Sequence, residues 1–436
     1  MARVALIGEN SIEYIDKLID IWNNGDCAVL IDWRIPFNTA LDMMNEAGVK
    51  KCIIQMGIWG EFKTKENLFF EVFEKNQKGT QCLPTSIYKK FFSNYNRSEA
   101  VIIYSSGTTG KSKGVILSHY AINTNADSII DYMKPSSTDC IYIAKTLSHS
   151  STITGELLVA LKTKIKTVIA PIIIPPRIIL KNINKFDVTI ICLNPTLLKL
   201  VSLEQEKHTN DIHSLKKIYV SGSILSEQVY RLSKKIFYNV EIYNVYGLSE
   251  CGPRVSAQTN LCNNEHNSVG KPIKDVKIKI VNRNGKEVCA NEIGIIHVTT
   301  PSLFDGYIAG EIKHKSIYKE WLNTGDLGYC DQFGELHIIG RYDNCFTYQS
   351  HNIYPEEIEN VVGKTNKIEE CLVYGNDHQI VCAYTSKTKN PLTSFEIREI
   401  INECRQHLAL YELPTEFRYI KEFKKTTSGK IKREEY

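Results

Sequence analysis

No two of the 13 cysteines stand in a Cys-x-x-Cys pair; they lie singly, at Cys27, Cys52, Cys82, Cys140 and onward to Cys404. Zinc ribbons and dithiol redox motifs need close pairs, so both are excluded, and a disulfide framework belongs to far shorter secreted chains. The thiols read as small apolar residues. No long hydrophobic run occurs either. Val4–Ile7 is too short for a signal-peptide core, and Val168–Pro176 falls well below the ~20 residues that span a bilayer. A cytoplasmic protein without membrane insertion is expected. Charge of one sign is also missing: 53 Lys+Arg against 49 Asp+Glu leave +4, spread along the chain. That gives no electrostatic reason for a nucleic-acid partner, though a small anionic substrate would suit. What remains is a chain of 436 residues with 43% hydrophobic content, enough for about three domains and typical of globular proteins.

Short apolar, β-branched runs alternate with helical or polar stretches through the first three-quarters. Val4–Ile7 reads as a strand, and Ile12, Ile15, Leu18, Ile19 and Trp22 have helical spacing before Gly25 breaks the pattern. Ala28–Ile31, Val101–Tyr104, Thr167–Ala170, Val188–Leu193, Lys217–Val220 and Val240–Val245 read as further strands. The alternation predicts α/β architecture with largely parallel sheets. After about Val269, closely spaced strands at Val276–Val281, Gly294–Thr299 and Glu335–Ile339, with Asn284-Gly285 and Phe333-Gly334 turns, predict an antiparallel meander or barrel-like subdomain over 270–341. A small α+β unit over 342–436 follows, with an amphipathic helix near Phe395–Leu408.

The segment Tyr104-Ser-Ser-Gly-Thr-Thr-Gly-Lys-Ser-Lys-Gly114 concentrates hydroxyls, glycines and lysines directly after a strand. Glycines let backbone N–H groups converge on an anion, hydroxyls add donors, and lysines add charge, as phosphate binding requires. A Walker loop is rejected by spacing: it needs glycine five positions before Gly110, where Ser105 stands. Val115–Leu117 also continues as a strand, not a helix.

This loop resembles the phosphate loop of the adenylate-forming superfamily, which holds acyl-CoA synthetases, aryl-acid ligases, luciferases and peptide-synthetase adenylation domains. Tyr246-Gly-Leu-Ser-Glu250, Trp321-Leu-Asn-Thr-Gly-Asp326, Gly340-Arg341-Tyr342-Asp343, Asn352-Ile-Tyr-Pro-Glu-Glu-Ile-Glu359 and Ser428-Gly429-Lys430-Ile431 are similar to further motifs of that family, in family order. The resemblance implies a large adenylation domain, 1–341, and a mobile lid, 342–436, that pivots at Asp343. Trp22–Asp32 resembles a segment usually reached several dozen residues later, which makes this a short member lacking part of the first subdomain.

By resemblance, Ser105, Ser106, Gly107, Thr108, Thr109, Gly110 and Lys113 cradle the ATP phosphates, and Glu250 holds Mg²⁺ with the Thr108 or Thr109 hydroxyl. Tyr246 stacks on adenine opposite Ser221, Gly222 and Ser223, with Asn244, Gly247 and Ser249 in the same pocket. Asp326 and Arg341 grip the ribose. Lys430 meets the charge that develops between carboxylate and α-phosphate, and His149 gates the acid pocket. His119, in contrast, reads as structural. Such chemistry needs no enzyme nucleophile, which fits the absence of a nucleophile elbow or Ser/His/Asp motif.

The implied activity is ATP-dependent joining of a small carboxylic acid to a thiol, either coenzyme A or the phosphopantetheine arm of an acyl carrier protein. Amino-acid-activating relatives place an aspartate where Leu147-Ser-His-Ser-Ser151 stands; here no acid appears until Glu156, which disfavours that alternative. A non-catalytic acid- or nucleotide-binding relative is the other. Ser350 occupies a position where ligases commonly carry glycine beside the thiol path, leaving the acceptor open.

Overall fold

The computed structural model describes the chain except residues 59–67, 76–78, 106–111, 172–174, 260–267, 309–316, 319–320, 377 and 427–429, and the side chains of 317, 318 and 434. Five layers make up most of it. In the first sheet, Arg3–Ile7 lies between Cys27–Ile31 and Lys51–Gln55, all parallel. Phe69–Phe73 adds one edge; Glu99–Ser105, Lys113–Ser118 and Gly306–Tyr307 extend the other. Val4 and Leu6 face one core, while Ala5 and Ile7 face another beneath helix Phe37–Glu46. Burial on both faces is why the strand reads as a continuous apolar run.

Helices Ile12–Asn23 and His119–Met133 and the segment Ser150–Thr163 fill the space between this sheet and a second. Helix Ile12–Asn23 starts where the Ser11 hydroxyl accepts the Tyr14 N–H at 3.1 Å, and it buries Ile15, Leu18, Ile19 and Trp22. The second sheet is parallel through Glu241–Gly247, Lys217–Val220, Ile190–Leu193, Cys140–Ile143 and Lys166–Ile169. Its outer face is covered by helices Pro176–Phe186, Pro195–Lys207 and Glu227–Ile236.

The change of texture after Val269 is an antiparallel five-stranded sheet that branches rather than meanders, because Trp321–Cys330 pairs with three other strands. The Thr-Gly-Asp motif thus lies inside a strand, with Gly325 at φ +71°. Phe346–Tyr348 and His351–Ile353 then form a hairpin. Helices Pro355–Val362 and Ser394–Cys404 and a three-stranded sheet enclose a separate small core. No described cysteine is in a disulfide, and most are buried, as expected of thiols used for packing. His119 is buried edge-on to Trp22, in keeping with a structural role.

Candidate active site

Strand Glu99–Ser105 and its antiparallel partner Lys113–Ser118 place Ser105 directly opposite Lys113, so both ends of the glycine-hydroxyl segment meet. Ser106, Gly107, Thr108, Thr109 and Gly110 lie outside the described residues. At the base of the segment, the Lys113 ammonium stands 5.6 Å from the Tyr307 ring centroid. The Tyr307 hydroxyl donates to Glu250 Oε1 at 2.7 Å. Tyr307 reaches this position because Gly306–Tyr307 pairs with Lys113–Ser118, a contact between segments nearly two hundred residues apart. Sequence reading missed it, since no motif surrounds it.

The motif Tyr246–Glu250 begins in the last two residues of strand Glu241–Gly247 and runs past its end. A side chain at Gly247 would stand 2.2 Å from the Pro253 carbonyl oxygen, so only glycine fits. The Ser249 hydroxyl is 2.9 Å from that of Ser150, which joins this motif to the one containing His149. Ser221, Gly222 and Ser223 follow strand Lys217–Val220, with Gly222 at φ +106°, a conformation that favours glycine. The Asn244 side chain is turned inward and donates to the Ser268 carbonyl at 3.1 Å.

Asp326 is the centre of a second knot. Its Oδ2 accepts from the Tyr246 hydroxyl at 2.5 Å and its Oδ1 from Arg341 Nη1 at 2.9 Å; the same nitrogen reaches the Thr324 carbonyl at 2.9 Å. The two ribose candidates are therefore paired with each other, and Tyr246 is oriented by them. Asp343 lies beyond, 3.4 Å from Arg341 and largely exposed.

Lys430 is held by backbone hydrogen bonds. Its N–H donates to Thr426 Oγ1 at 3.1 Å, its carbonyl accepts the Thr426 N–H at 2.8 Å, and Lys432 N–H reaches the Lys424 carbonyl at 2.9 Å. Lys430 keeps an exposed surface, yet its ammonium is crowded by protein. That crowding lowers its pKa, Arg341 adds to the effect, and Asp326 opposes it. Past it, Arg433 Nη2 straddles both oxygens of Glu359 at 2.6 and 2.7 Å, while Nη1 donates to the Val373 carbonyl at 3.0 Å. Ion pairs Lys364–Glu227 at 2.5 Å and Lys199–Glu369 at 3.7 Å join this part of the chain to the helices of the second sheet.

His149 precedes the short helix Ser150–Thr152. Burial pushes its pKa down to about 4, with Lys145, Arg34 and Lys430 contributing and only Asp32 opposing. Asp32 comes from the end of strand Cys27–Ile31 and is paired with Arg34 at 2.5 Å. Its place near His149 was not legible in the sequence. The folded pKa lies below the ordinary value, so between about pH 6.5 and 4 the unfolded chain binds a proton that the folded one does not. Stability should fall as pH drops through that window, by roughly 3 kcal/mol in all. Urea unfolding between pH 4 and 7 checks this: His149→Gln should flatten the slope, and an unchanged slope would place its origin elsewhere.

Residues 1–308 match the family described as AMP-binding enzyme, and residues 357–430 match the AMP-binding enzyme C-terminal domain. A long-chain-fatty-acid–CoA ligase of Haemophilus influenzae is 28% identical over 347 residues, 77% of this chain and 60% of that protein. The fatty acid–[acyl-carrier-protein] ligase ScoC of Streptomyces coeruleorubidus is 24% identical over 99% of this chain and 86% of its own length. The chain thus spans about three-fifths of the length of the long-chain-fatty-acid–CoA ligases it matches. Among solved structures, the o-succinylbenzoate coenzyme A synthetase MenE of Bacillus subtilis, in complex with ATP and magnesium ion, has the same fold. It superposes with a TM-score of 0.84 at 21% identity, over 99% of this chain and 88% of that one.

Proposed function

Because the chain belongs to the AMP-binding enzyme family, we propose that it is an ATP-dependent carboxylic acid–thiol ligase. The observation that best supports this reading is that Arg341 pairs with Asp326, Lys430 senses both, and Tyr307 joins Glu250 to Lys113 at the base of the phosphate segment. In the first half-reaction a carboxylate oxygen attacks the ATP α-phosphorus, the bond to the β-phosphate bridging oxygen breaks, and pyrophosphate leaves. Displacement at phosphorus asks mainly for positioning and charge neutralisation. Lys430 meets the developing charge, Asp326 and Arg341 hold the ribose, and Tyr246 with Ser221–Ser223 flanks the base. In the second, a thiolate attacks the acyl carbon and AMP departs.

The Glu250 carboxylate fits a hard cation: Tyr307 occupies one of its oxygens and Lys113 lies behind the ring. Glu250, with the Thr108 hydroxyl, would hold Mg²⁺, which supplies charge neutralisation at the phosphates when bound. The reading divides the chain into an adenylation domain, 1–341, and a lid, 342–436, that turns at Asp343. No helix among the described residues is long and apolar enough to cross a membrane, and we assign the reaction to the cytoplasm, where ATP is supplied. ATP–pyrophosphate exchange across a panel of acids tests the whole. Exchange with at least one acid is expected; none across a broad panel would favour a non-catalytic relative.

For the acceptor, Gln349 and Ser350 form the hairpin turn with φ +49° and +67°, a left-handed geometry that penalises side chains. Ser350→Gly should relieve this by about 1 kcal/mol. Serine beside the thiol path should also weaken free coenzyme A more than a carrier protein, whose surface contacts raise the local concentration of its arm. The likeness to ScoC adds support for a carrier. Thioesterification of coenzyme A and of a holo-carrier is measured side by side. Fast wild-type transfer to coenzyme A with no gain from Ser350→Gly would remove position 350 from acceptor choice.

A further inference from the structure

Most charges drawn into this molecule are answered by an opposite charge: Arg3 by Glu99, Asp32 by Arg34, Glu359 by Arg433. Arg254 is an exception. It is 3% exposed, and its backbone is bound on both sides by the Asn125 amide at 2.9 Å. Its guanidinium has no carboxylate at ion-pair distance and its Nε no hydrogen-bond partner among the described residues, and the Tyr132 phenol senses its charge. A buried guanidinium without an anion is costly, and proteins rarely keep one without a use for it.

Its surroundings share the anomaly. Arg254 Nη2 would be 3.4 Å from a side chain at Gly155, inside Ile153–Leu158, a single π-helical turn. Such turns are uncommon and are often found at functional sites. The Thr152 and Thr154 hydroxyls and Glu156 Oε2 are buried there without hydrogen bonds. Lys145 Nζ is 3.0 Å from Glu156 Oε1. The titratable groups that sense one another here are Lys145, Arg254, Glu156, Cys192 and Tyr132. Burial pushes the Cys192 thiol up to about 12 and raises the Tyr132 phenol, so both are neutral. Two cations therefore face one carboxylate, and burial lifts even that carboxylate to about 7. The cluster carries a surplus of positive charge.

The cluster adjoins the candidate active site. Lys145 lies four residues before His149, Arg254 four after Glu250, and Ser150 and Ser249 are in contact between them. Lys430, His149, Lys145, Glu156 and Arg254 form a series, each in electrostatic reach of the next, from the active-site lysine into the interior. An acid with its reacting carboxylate at Lys430 would extend along that series.

We propose, resting on the ligase reading above, that the acid is a dicarboxylic acid whose far carboxylate pairs with Arg254 and Lys145, with the Thr152 and Thr154 hydroxyls as donors. A charge-assisted pair in a dry site satisfies the guanidinium, whereas a hydrocarbon tail would leave it unpaired. Glu156 holds Lys145 in place. The site thereby differs from what long fatty chains require.

The test is ATP–pyrophosphate exchange on matched pairs: butyrate and succinate, hexanoate and adipate, octanoate and suberate, benzoate and terephthalate. At the best-accepted length the diacid should exceed its partner about 30-fold or more in kcat/KM, and Arg254→Met should collapse that ratio. Arg254→Lys, which keeps the charge, should restore part of it. Arg254→Met should also raise the melting temperature of the ligand-free protein, because it removes an unpaired buried charge. Preference for monoacids at every length overturns the proposal. So does a lower melting temperature with equal losses on both acid series, which would mark Arg254 as structural. Exchange with no acid at all is failure of the ligase reading itself. In that case thermal stabilisation by the same diacids decides: stabilisation lost in Arg254→Met supports the site, and none overturns it.

Discussion

Lys430→Ala should reduce acyl-adenylate formation by about 10²–10³-fold or more while thiol transfer from supplied acyl-adenylate continues. A preorganised charge contact made in the transition state is worth several kcal/mol in a site shielded from water. Lys430 has the attributes of such a contact. Protein crowding depresses its pKa, Asp326 opposes that effect, and hydrogen bonds to Thr426 fix its backbone. In the thiol step charge develops on the departing AMP phosphate, but in the proposed reading the lid has by then turned at Asp343 and withdrawn this ammonium, so the step does not depend on it. Pyrophosphate exchange and single-turnover thioester formation separate the two steps. Equal damage to both would sink the division of labour and, with it, the assignment of 342–436 as a lid.

Arg433→Met should be nearly as damaging by a different route. Arg433 clasps Glu359 through both carboxylate oxygens and ties the chain just past Lys430 to helix Pro355–Val362 and to Val373. Removing one partner of this half-buried pair leaves the other largely uncompensated, which costs at the lower end of about 3–5 kcal/mol. The C-terminal unit should melt earlier, and exchange should fall because Lys430 loses its anchor. The defect should shrink at lower pH: burial already pushes Glu359 up to about 7, and without Arg433 it escapes its penalty by taking a proton. Glu359→Gln added to Arg433→Met should recover part of the loss for the same reason. Thermal melts of the two variants at pH 6 and pH 8 measure this. A defect of equal size at both values would show that Glu359 is not the group left stranded.

How far these residues could be found in advance differs from one to the next. Strands Lys217–Val220 and Gly294–Thr299 fell where the apolar runs placed them, and so did the helix following Ser11. Their pattern is local and burial on a fixed face enforces it. Lys51–Gln55, Phe69–Phe73 and Arg254–Ala257 were not anticipated; short runs with mixed polarity become strands only when a neighbouring strand offers its edge. The same holds at the site. Lys430, Glu250, Asp326 and Arg341 sit in motifs that their neighbours in sequence make readable. Tyr307, Asp32 and Arg433 act through contacts closed over long loops, where nothing adjacent marks them.

The sequence by itself determined the α/β class, the order of the motifs and the chemistry each side chain could offer, because period, turn residues and functional groups are properties of short stretches. Only the tertiary structure decided which charges answer one another. Arg341 and Asp326 are paired, Tyr307 bridges Lys113 to Glu250, and Arg254 is left with no carboxylate at ion-pair distance among the described residues. Whether a charge is solvated, paired or stranded depends on what the fold packs against it, and that partner is set by the packing of sheets and helices drawn from the whole chain.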